Sequence, residues 1–212
     1  MDKRSFLKAG VAAAFLAGAT LAVGSAGATS GGPLVGSPAP NFTATDSNGK
    51  TVNLADFKGK MVVLEWTNNG CPFVRKHYGS GNMQALQAEA AKQGVVWLSI
   101  ASSPPGYQGH VDGPAANAEL ARSGAKPTAV VLDHSSTIAK AYQARVTPHM
   151  YIVDPKGTLV YMGGIDDKPT ANPADIPGAK NYVRDALSEL SAGKPVSAPN
   201  TRAYGCTVHY AS

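Results

Sequence analysis

Cys71 and Cys206 are the only cysteines among the 212 residues of the chain. Cys71 precedes Pro72 and a stretch of helical character, and proline suits the first helical position because its missing N–H is one that a helix leaves unpaired. Cys71 is therefore expected at a helix N-terminus, where free backbone N–H groups and the positive end of the helix dipole favour a thiolate over a thiol. The thiolate is the reactive form towards disulfides and peroxides. Arg75, one turn further on, could add positive charge; equally, Arg75 and Lys76 read as a solvated helix face.

Cys206 lies near the end of the chain in Gly205-Cys206-Thr207-Val208-His209-Tyr210. An oxidising compartment would let it pair with Cys71. A bond closing a loop of about 135 residues could stabilise the fold by about 5 kcal/mol on the chain-entropy argument, so a permanent staple is physically sound. A reactive pair, with Cys206 on a mobile tail, is the other reading. A third is a copper or zinc set of Cys71, His77, His149 and Cys206, set against the tendency of scattered histidines to be surface residues. The preferred reading has no metal and no cofactor. Asp166-Asp167, in a loop-rich stretch, reads as solvated. Trp66 and Trp97 sit in buried-strand patterns and read as core, and Trp66 could also wall the Cys71 site.

The elements that must position Cys71 are legible around it. Met61 to Thr67 is an apolar run too continuous for a half-exposed strand and reads as a central strand buried on both faces. A loop, Asn68-Asn69-Gly70, leads from it to Cys71. The helix after Pro72 is expected to break at Gly79-Ser80-Gly81 and resume from Asn82 to Lys92. Before this unit, Asn41 to Leu54 holds two short strands around Ser47-Asn48-Gly49-Lys50, where Asn-Gly supplies the positive φ of a tight hairpin. After it come a buried strand (Val95 to Ala101), a Pro/Gly-rich excursion (Ser102 to Pro114), a helix (Ala115 to Arg122), a strand (Thr128 to Asp133) and a helix (Thr137 to Gln143). Strands alternating with helices imply a parallel core to the sheet. Met150 to Asp154 and Thr158 to Met162 flank Asp154-Pro155-Lys156-Gly157 and make an antiparallel hairpin. A last helix covers about Asn181 to Ser191.

The chain begins with a basic start (Lys3, Arg4, Lys8), a short apolar run from Ala9 to Val23 and small residues at Ala26 and Ala28, the layout of an export signal cleaved after Ala28. The run is too short and too rich in Ala and Gly for a spanning helix. Asp2 to Lys8 resembles a twin-arginine signal with Lys3 in place of the first arginine. The expected organisation is an export signal over 1–28, a domain over 29–191 and a C-terminal tail over 192–212 that carries Cys206. The expected location is periplasmic or secreted, with no stable membrane insertion after cleavage. Removing 1–28 takes +2 from the formal charge of +5 and leaves +3. No stripe of Lys and Arg with interleaved aromatics accompanies it, which argues against a nucleic-acid partner.

The order strand, loop, Cys71-Pro72, helix, and much later Thr147-Pro148 directly before a strand, resembles the thioredoxin superfamily. The branch it resembles most is the redoxins, the alkyl hydroperoxide reductase/thiol-specific antioxidant-like and peroxiredoxin-like proteins. Its carriers are Gly36 to Phe42, Glu65-Trp66-Thr67, Cys71-Pro72-Phe73-Val74 and Val146 to Asp154, and it covers about residues 34 to 191. It implies an α/β thioredoxin-like fold, with a mixed central sheet, helices on both faces and an N-terminal β-hairpin extension. It also implies a cis Thr147-Pro148 bond beside Cys71, where neighbouring backbone can pair with an extended substrate.

The implied activity is thiol-dependent oxidoreduction, in which Cys71 attacks a disulfide or a peroxide and Cys206 resolves the product. Thr67 and Pro148 join the two cysteines as catalytic candidates, and Thr147, Trp66 and Arg145 are substrate-binding candidates. The partners are an external thiol reductant and a disulfide-bearing protein, or a peroxide. Two departures matter. Val74 stands where a thioredoxin has its second cysteine, and Asn68 and Pro148 stand where peroxiredoxins place Thr or Ser and Arg; Thr67 and Arg145 are the nearest substitutes. The competing readings are a non-catalytic redoxin-fold binding protein with a structural Cys71–Cys206 disulfide, and a copper-handling protein.

Overall fold

The computed structural model describes residues 32–212; the expected export signal over 1–28 lies outside the described residues. The sheet opens with β1 (Thr43–Asp46) and β2 (Thr51–Asn53), a hairpin whose turn is held by Asp46 Oδ1, which accepts from the backbone N–H of Asn48 and of Lys50, both at 2.8 Å. A 3-10 turn (Leu54–Phe57) leads to β3 (Val62–Trp66), every residue of which is buried. Helix α1 (Pro72–Gly79) and helix α2 (Asn82–Lys92) are separated by Ser80 and Gly81. Gly81 takes a left-handed conformation at φ 75°, which a glycine adopts without steric cost and which starts α2 in a new direction.

Strand β4 (Val96–Ala101), helix α3 (Gly113–Ser123), strand β5 (Ala129–Leu132) and helix α4 (Thr137–Tyr142) complete the alternation. Asp112 caps α3 by accepting from Ala115 N at 2.8 Å, and Gly124 ends it in the left-handed region. Strand β6 (Val146–Thr147), strand β7 (His149–Val153) and strand β8 (Leu159–Gly163) precede a 3-10 segment (Pro173–Gly178), helix α5 (Tyr182–Ser191) and strand β9 (Cys206–Thr207).

The main sheet has seven strands in the order β2-β1-β5-β4-β3-β7-β8. β3, β4 and β5 run parallel, and β1, β2, β7 and β8 are antiparallel to their neighbours, so the sheet is mixed with a parallel centre. Alternate side chains of β3 and β4 feed two cores. Leu64, Trp66, Leu98 and Ile100 pack with Ile138, Ala139 and Tyr142 of α4 on one face. Val63 and Trp97 pack with Met83 and Leu86 of α2 and with Val183 and Leu187 of α5 on the other. Helices thus cover both faces, with an N-terminal hairpin on one edge.

β6 and β9 have no counterpart in the local sequence pattern. They form a separate two-stranded antiparallel ribbon, Val146 opposite Thr207 and Thr147 opposite Cys206. The tail is therefore fastened down rather than loose. Its backbone pairs with the β8 edge (Met162 N to Pro199 O, 3.0 Å; Thr201 N to Met162 O, 3.1 Å) before it reaches β6. Beyond Cys206, Val208 N donates to Arg145 O at 2.9 Å, Tyr210 OH to Ala144 O at 3.0 Å and Ala211 N to Ser136 Oγ at 2.9 Å. A segment rich in proline and small residues has little apolar surface to bury, and backbone and side-chain hydrogen bonds hold it instead.

Candidate functional site

Cys71 is the N-cap of α1, with extended backbone at φ −77° and ψ 125° and no capping hydrogen bond from its own side chain. The loop before it is shaped by Asn68, whose Oδ1 accepts from Gly70 N at 2.9 Å and whose carbonyl accepts from Cys71 N at 3.0 Å. The sulfur is thus left free of local duties at the end of a helix whose first N–H groups have no partner within it. It is fully buried, and Thr147 O lies 3.2 Å from it. The Thr147-Pro148 peptide bond is cis.

Cys206 approaches from the other side. β9 lays it opposite Thr147, and Thr147 Oγ1 also lies 3.5 Å from Cys206 O. Gly205 permits the approach: other residues rarely adopt its φ of 144°, and a Cβ there would run into Thr147 O. Cys71 and Cys206 form a disulfide across 135 residues of sequence, with their Cα atoms 5.9 Å apart. Cys206 is only partly buried, so the outward side of the bond belongs to the tail.

The other candidates fall into different places. Thr67 follows β3 at the edge of a cavity of about 660 Å³ between α1, α3 and β4–β5, whose lining includes Asn68, Arg75, Tyr78 and Ser99 but neither cysteine. Pro148 is buried between β6 and β7. Arg145 is exposed, and its carbonyl serves the tail through Val208 N. Trp66 has no exposed surface. Its ring packs on Tyr142 and Tyr151 with centroids 5.4 and 5.1 Å away, and its indole N–H donates to Ser102 Oγ at 3.0 Å. Trp66 is a core residue on the α4 side of the sheet.

The suggested metal set is dispersed as well. The cysteines are bonded to each other, His77 faces Asn82 and Tyr204, and His149 faces Tyr151 at 3.1 Å. Among the described residues, no three of His, Cys, Asp or Glu gather as a metal site would require.

A buried polar cluster under the tail overturns two expectations from the sequence. Lys76 and Asp166, both read as solvated, are 1% and 2% exposed, and Lys76 Nζ lies 3.4 Å from Asp166 Oδ2. Lys76 also donates to Lys168 O at 2.8 Å. Tyr204, two residues before Cys206, donates its hydroxyl to Asp166 Oδ1, and its ring meets Phe73 edge-on at 5.8 Å. Burial, then this donation, pushes the Tyr204 hydroxyl well above the usual phenol range. A sequence signal existed: Lys76 and His77 stand three and four residues after Phe73 and so share its face of α1. A lysine on an apolar face needs a buried acid.

Glu65 is a second such signal, a carboxylate inside the β3 apolar run. It is fully buried and accepts from Tyr78 OH at 2.7 Å, Trp97 Nε1 at 2.8 Å and Ser99 Oγ at 2.9 Å. Burial raises its pKa, against the opposing pull of those donors.

His77 is also buried, chiefly for which reason its pKa falls to about 4, with Asp166 opposing and Lys76 reinforcing the shift. The neutral ring with its proton on Nε2 satisfies its neighbours: Asn82 Nδ2 donates to Nδ1 at 2.9 Å and Nε2 donates to Tyr204 OH at 3.3 Å. His149 is likewise lowered to about 4, by burial and then by Arg145. Both histidines therefore bind a proton more readily in the unfolded chain, whose ordinary value is near 6.5. The stability they contribute is present above about pH 6.5 and is lost as pH falls towards 4, by up to about 3 kcal/mol for each group. Urea unfolding from pH 7 to pH 4 should show this slope, and His149→Gln should reduce it; an unchanged slope would show that His149 is not buried as a neutral ring.

Comparison with known proteins shows the family and the fold. The AhpC/TSA family matches residues 35–162. The thiol-disulfide oxidoreductase ResA of Bacillus subtilis strain 168 is 27% identical over 132 residues, which are 59% of this chain and 64% of that protein. The chain thus spans a little under two thirds of that relative's length. An uncharacterized conserved protein of Geobacillus kaustophilus, known from its crystal structure, superposes with a TM-score of 0.71 at 26% identity, covering 84% of this chain and 93% of the other. The thioredoxin domain of a thiol-disulfide oxidoreductase of Bacteroides vulgatus superposes with a TM-score of 0.50 at 21% identity, over 68% of this chain and 96% of that domain, a likeness of fold. With a family match across more than half its length and a cysteine at the start of the helix after the central strand, the chain belongs to the AhpC/TSA family.

Proposed function

We propose that the protein is an exported thiol-disulfide oxidoreductase whose redox pair is Cys71 and Cys206. In the reduced protein the Cys71 thiolate attacks one sulfur of a substrate disulfide, forming a mixed disulfide and expelling the other substrate sulfur as a thiolate. The Cys206 thiolate then attacks Cys71 Sγ, which releases the substrate's second thiolate and leaves the Cys71–Cys206 bond. An external dithiol supplies the two electrons that restore the pair and is itself oxidised. Thr147 and Pro148 flank the reacting sulfur, and the ResA relative's name supports the disulfide rather than the peroxide as oxidant. The work is done in the periplasm or outside the cell. The export-signal layout of Lys3 to Ala28 supports that location.

The observation that carries the proposal is the placement of Cys206. The second cysteine, missing three residues after the first, is supplied by a two-residue strand that pairs with Val146 and Thr147 and sets Cys206 against Cys71. One observation favours a second reading, a permanent staple in a non-catalytic binding protein: Cys71 is fully buried beneath the tail. A redox titration against glutathione and dithiothreitol buffers separates the two. The expected potential lies above about −300 mV, in the range of functional pairs, and a lower value would assign the bond a purely structural role.

A further inference from the structure

We propose that Tyr204 is a positioning residue, holding Cys206 against Cys71 through the buried Asp166–Lys76 pair. The inference rests on the reading of Cys71 and Cys206 as a redox pair and concerns how the second cysteine reaches the first. Resolution of a mixed disulfide on Cys71 is an intramolecular reaction, so its rate depends on how often the tail places the Cys206 sulfur within reach. Strand β9 alone is a weak tether, a two-residue ribbon at the surface.

Tyr204 is the one tail side chain between α5 and β9 that is buried, at 8% exposed. It is held on three sides. Its hydroxyl donates to Asp166 and lies 3.3 Å from His77 Nε2, its ring meets Phe73 edge-on, and Lys76 Nζ stands 5.6 Å from the ring centroid. Phe73, Lys76 and His77 all belong to α1, the helix that begins immediately after Cys71. The anchor of one cysteine is therefore built into the helix that presents the other, and the two sulfurs share one frame. Asp166 joins them because it binds the hydroxyl from the tail with one oxygen and the α1 lysine with the other. A hydrogen bond to a charged acceptor carries about a tenfold factor in an equilibrium, so losing it should lower the docked fraction of the reduced tail by about that much.

An aromatic disulfide that releases a coloured thiolate tests this on the full chain after a dithiol has reduced the Cys71–Cys206 bond and been removed. The Cys71 thiolate attacks the probe, forming a Cys71–aryl disulfide and expelling one aryl thiolate; the Cys206 thiolate then attacks Cys71 Sγ and expels the second. Cys206→Ser, which releases one equivalent only, identifies the first phase. In Tyr204→Phe, which keeps the ring and removes the hydroxyl, the first phase should stay within twofold of wild type and the second should slow about tenfold. Asp166→Asn should slow the second phase in the same way. A second phase within twofold of wild type in Tyr204→Phe, or equal slowing of both phases, would overturn the proposal. If the wild type releases no thiolate from either cysteine, the oxidoreductase reading fails instead.

Discussion

Cys71→Ser is expected to reduce thiol-dependent disulfide turnover to the uncatalysed level, because a serine hydroxyl at neutral pH carries almost no nucleophilic anion and cannot form the mixed disulfide. The substitution also removes the bond to Cys206, and a loop of 135 residues is worth up to about 5 kcal/mol to the folded chain on entropic grounds. Lost activity could then come from lost structure. Cys206→Ser controls for this, since it breaks the same bond and keeps the nucleophile. The expected pattern is a single turnover that stalls at a Cys71–substrate disulfide in Cys206→Ser, visible as a mass adduct, and no adduct in Cys71→Ser. Circular dichroism should show both variants folded. Wild-type activity in Cys71→Ser would remove Cys71 from the chemistry altogether.

Asp166→Ala is expected to destabilise the protein by about 3–5 kcal/mol, the range for removing one partner of a buried ion pair. The physical reason is Lys76. Its ammonium is 1% exposed, and after the substitution it keeps Lys168 O but loses the only carboxylate within salt-bridge distance among the described residues. Tyr204 loses its acceptor in the same step, as does the backbone N–H of Lys168, which lies 3.0 Å from Asp166 Oδ1. Urea unfolding at pH 7 measures the loss. The double variant Lys76→Met with Asp166→Leu should recover much of it, because two apolar side chains bury without the desolvation cost of an unpaired charge. A loss below about 1 kcal/mol in Asp166→Ala would mean that water reaches the pair.

These two variants probe different parts of one arrangement. Cys71 takes its place at the helix N-terminus, a local property, whereas Cys206 draws its position from contacts that span the chain. Lys76 and Asp166 are 90 residues apart, Tyr204 and Asp166 are 38 apart, and the two cysteines are 135 apart. The helix that begins at Cys71 also bears Phe73, Lys76 and His77, which meet Tyr204 of the tail. That shared element holds a cysteine so distant in sequence against Cys71.

What the sequence determined by itself was local. Strand β3, the break between α1 and α2, both hairpins and the helical start at Pro72 follow from continuous apolar runs, Gly-rich breaks, Asn-Gly and Pro-Lys-Gly turns and the preference of proline for a first turn, each readable within a few residues. Cys71 was legible for the same reason. Tertiary structure decided what lies under and over it. A lysine, an aspartate and two histidines that look solvated in isolation became buried, because α1 turns Lys76 and His77 inward with Phe73 and the segment after β8 brings Asp166 beneath them. Trp66 read as core from its strand pattern, and the fold decided only which face of the sheet it joins, the one covered by α4. The tail looked loose because it has few apolar residues, and it is fastened by backbone pairing to β8 and β6 and by the hydroxyl of Tyr204, interactions that depend on which distant groups remain unpaired rather than on local pattern. The place of Cys71 at a helix start was legible from its neighbours alone, but only the assembled fold could set Cys206 against it.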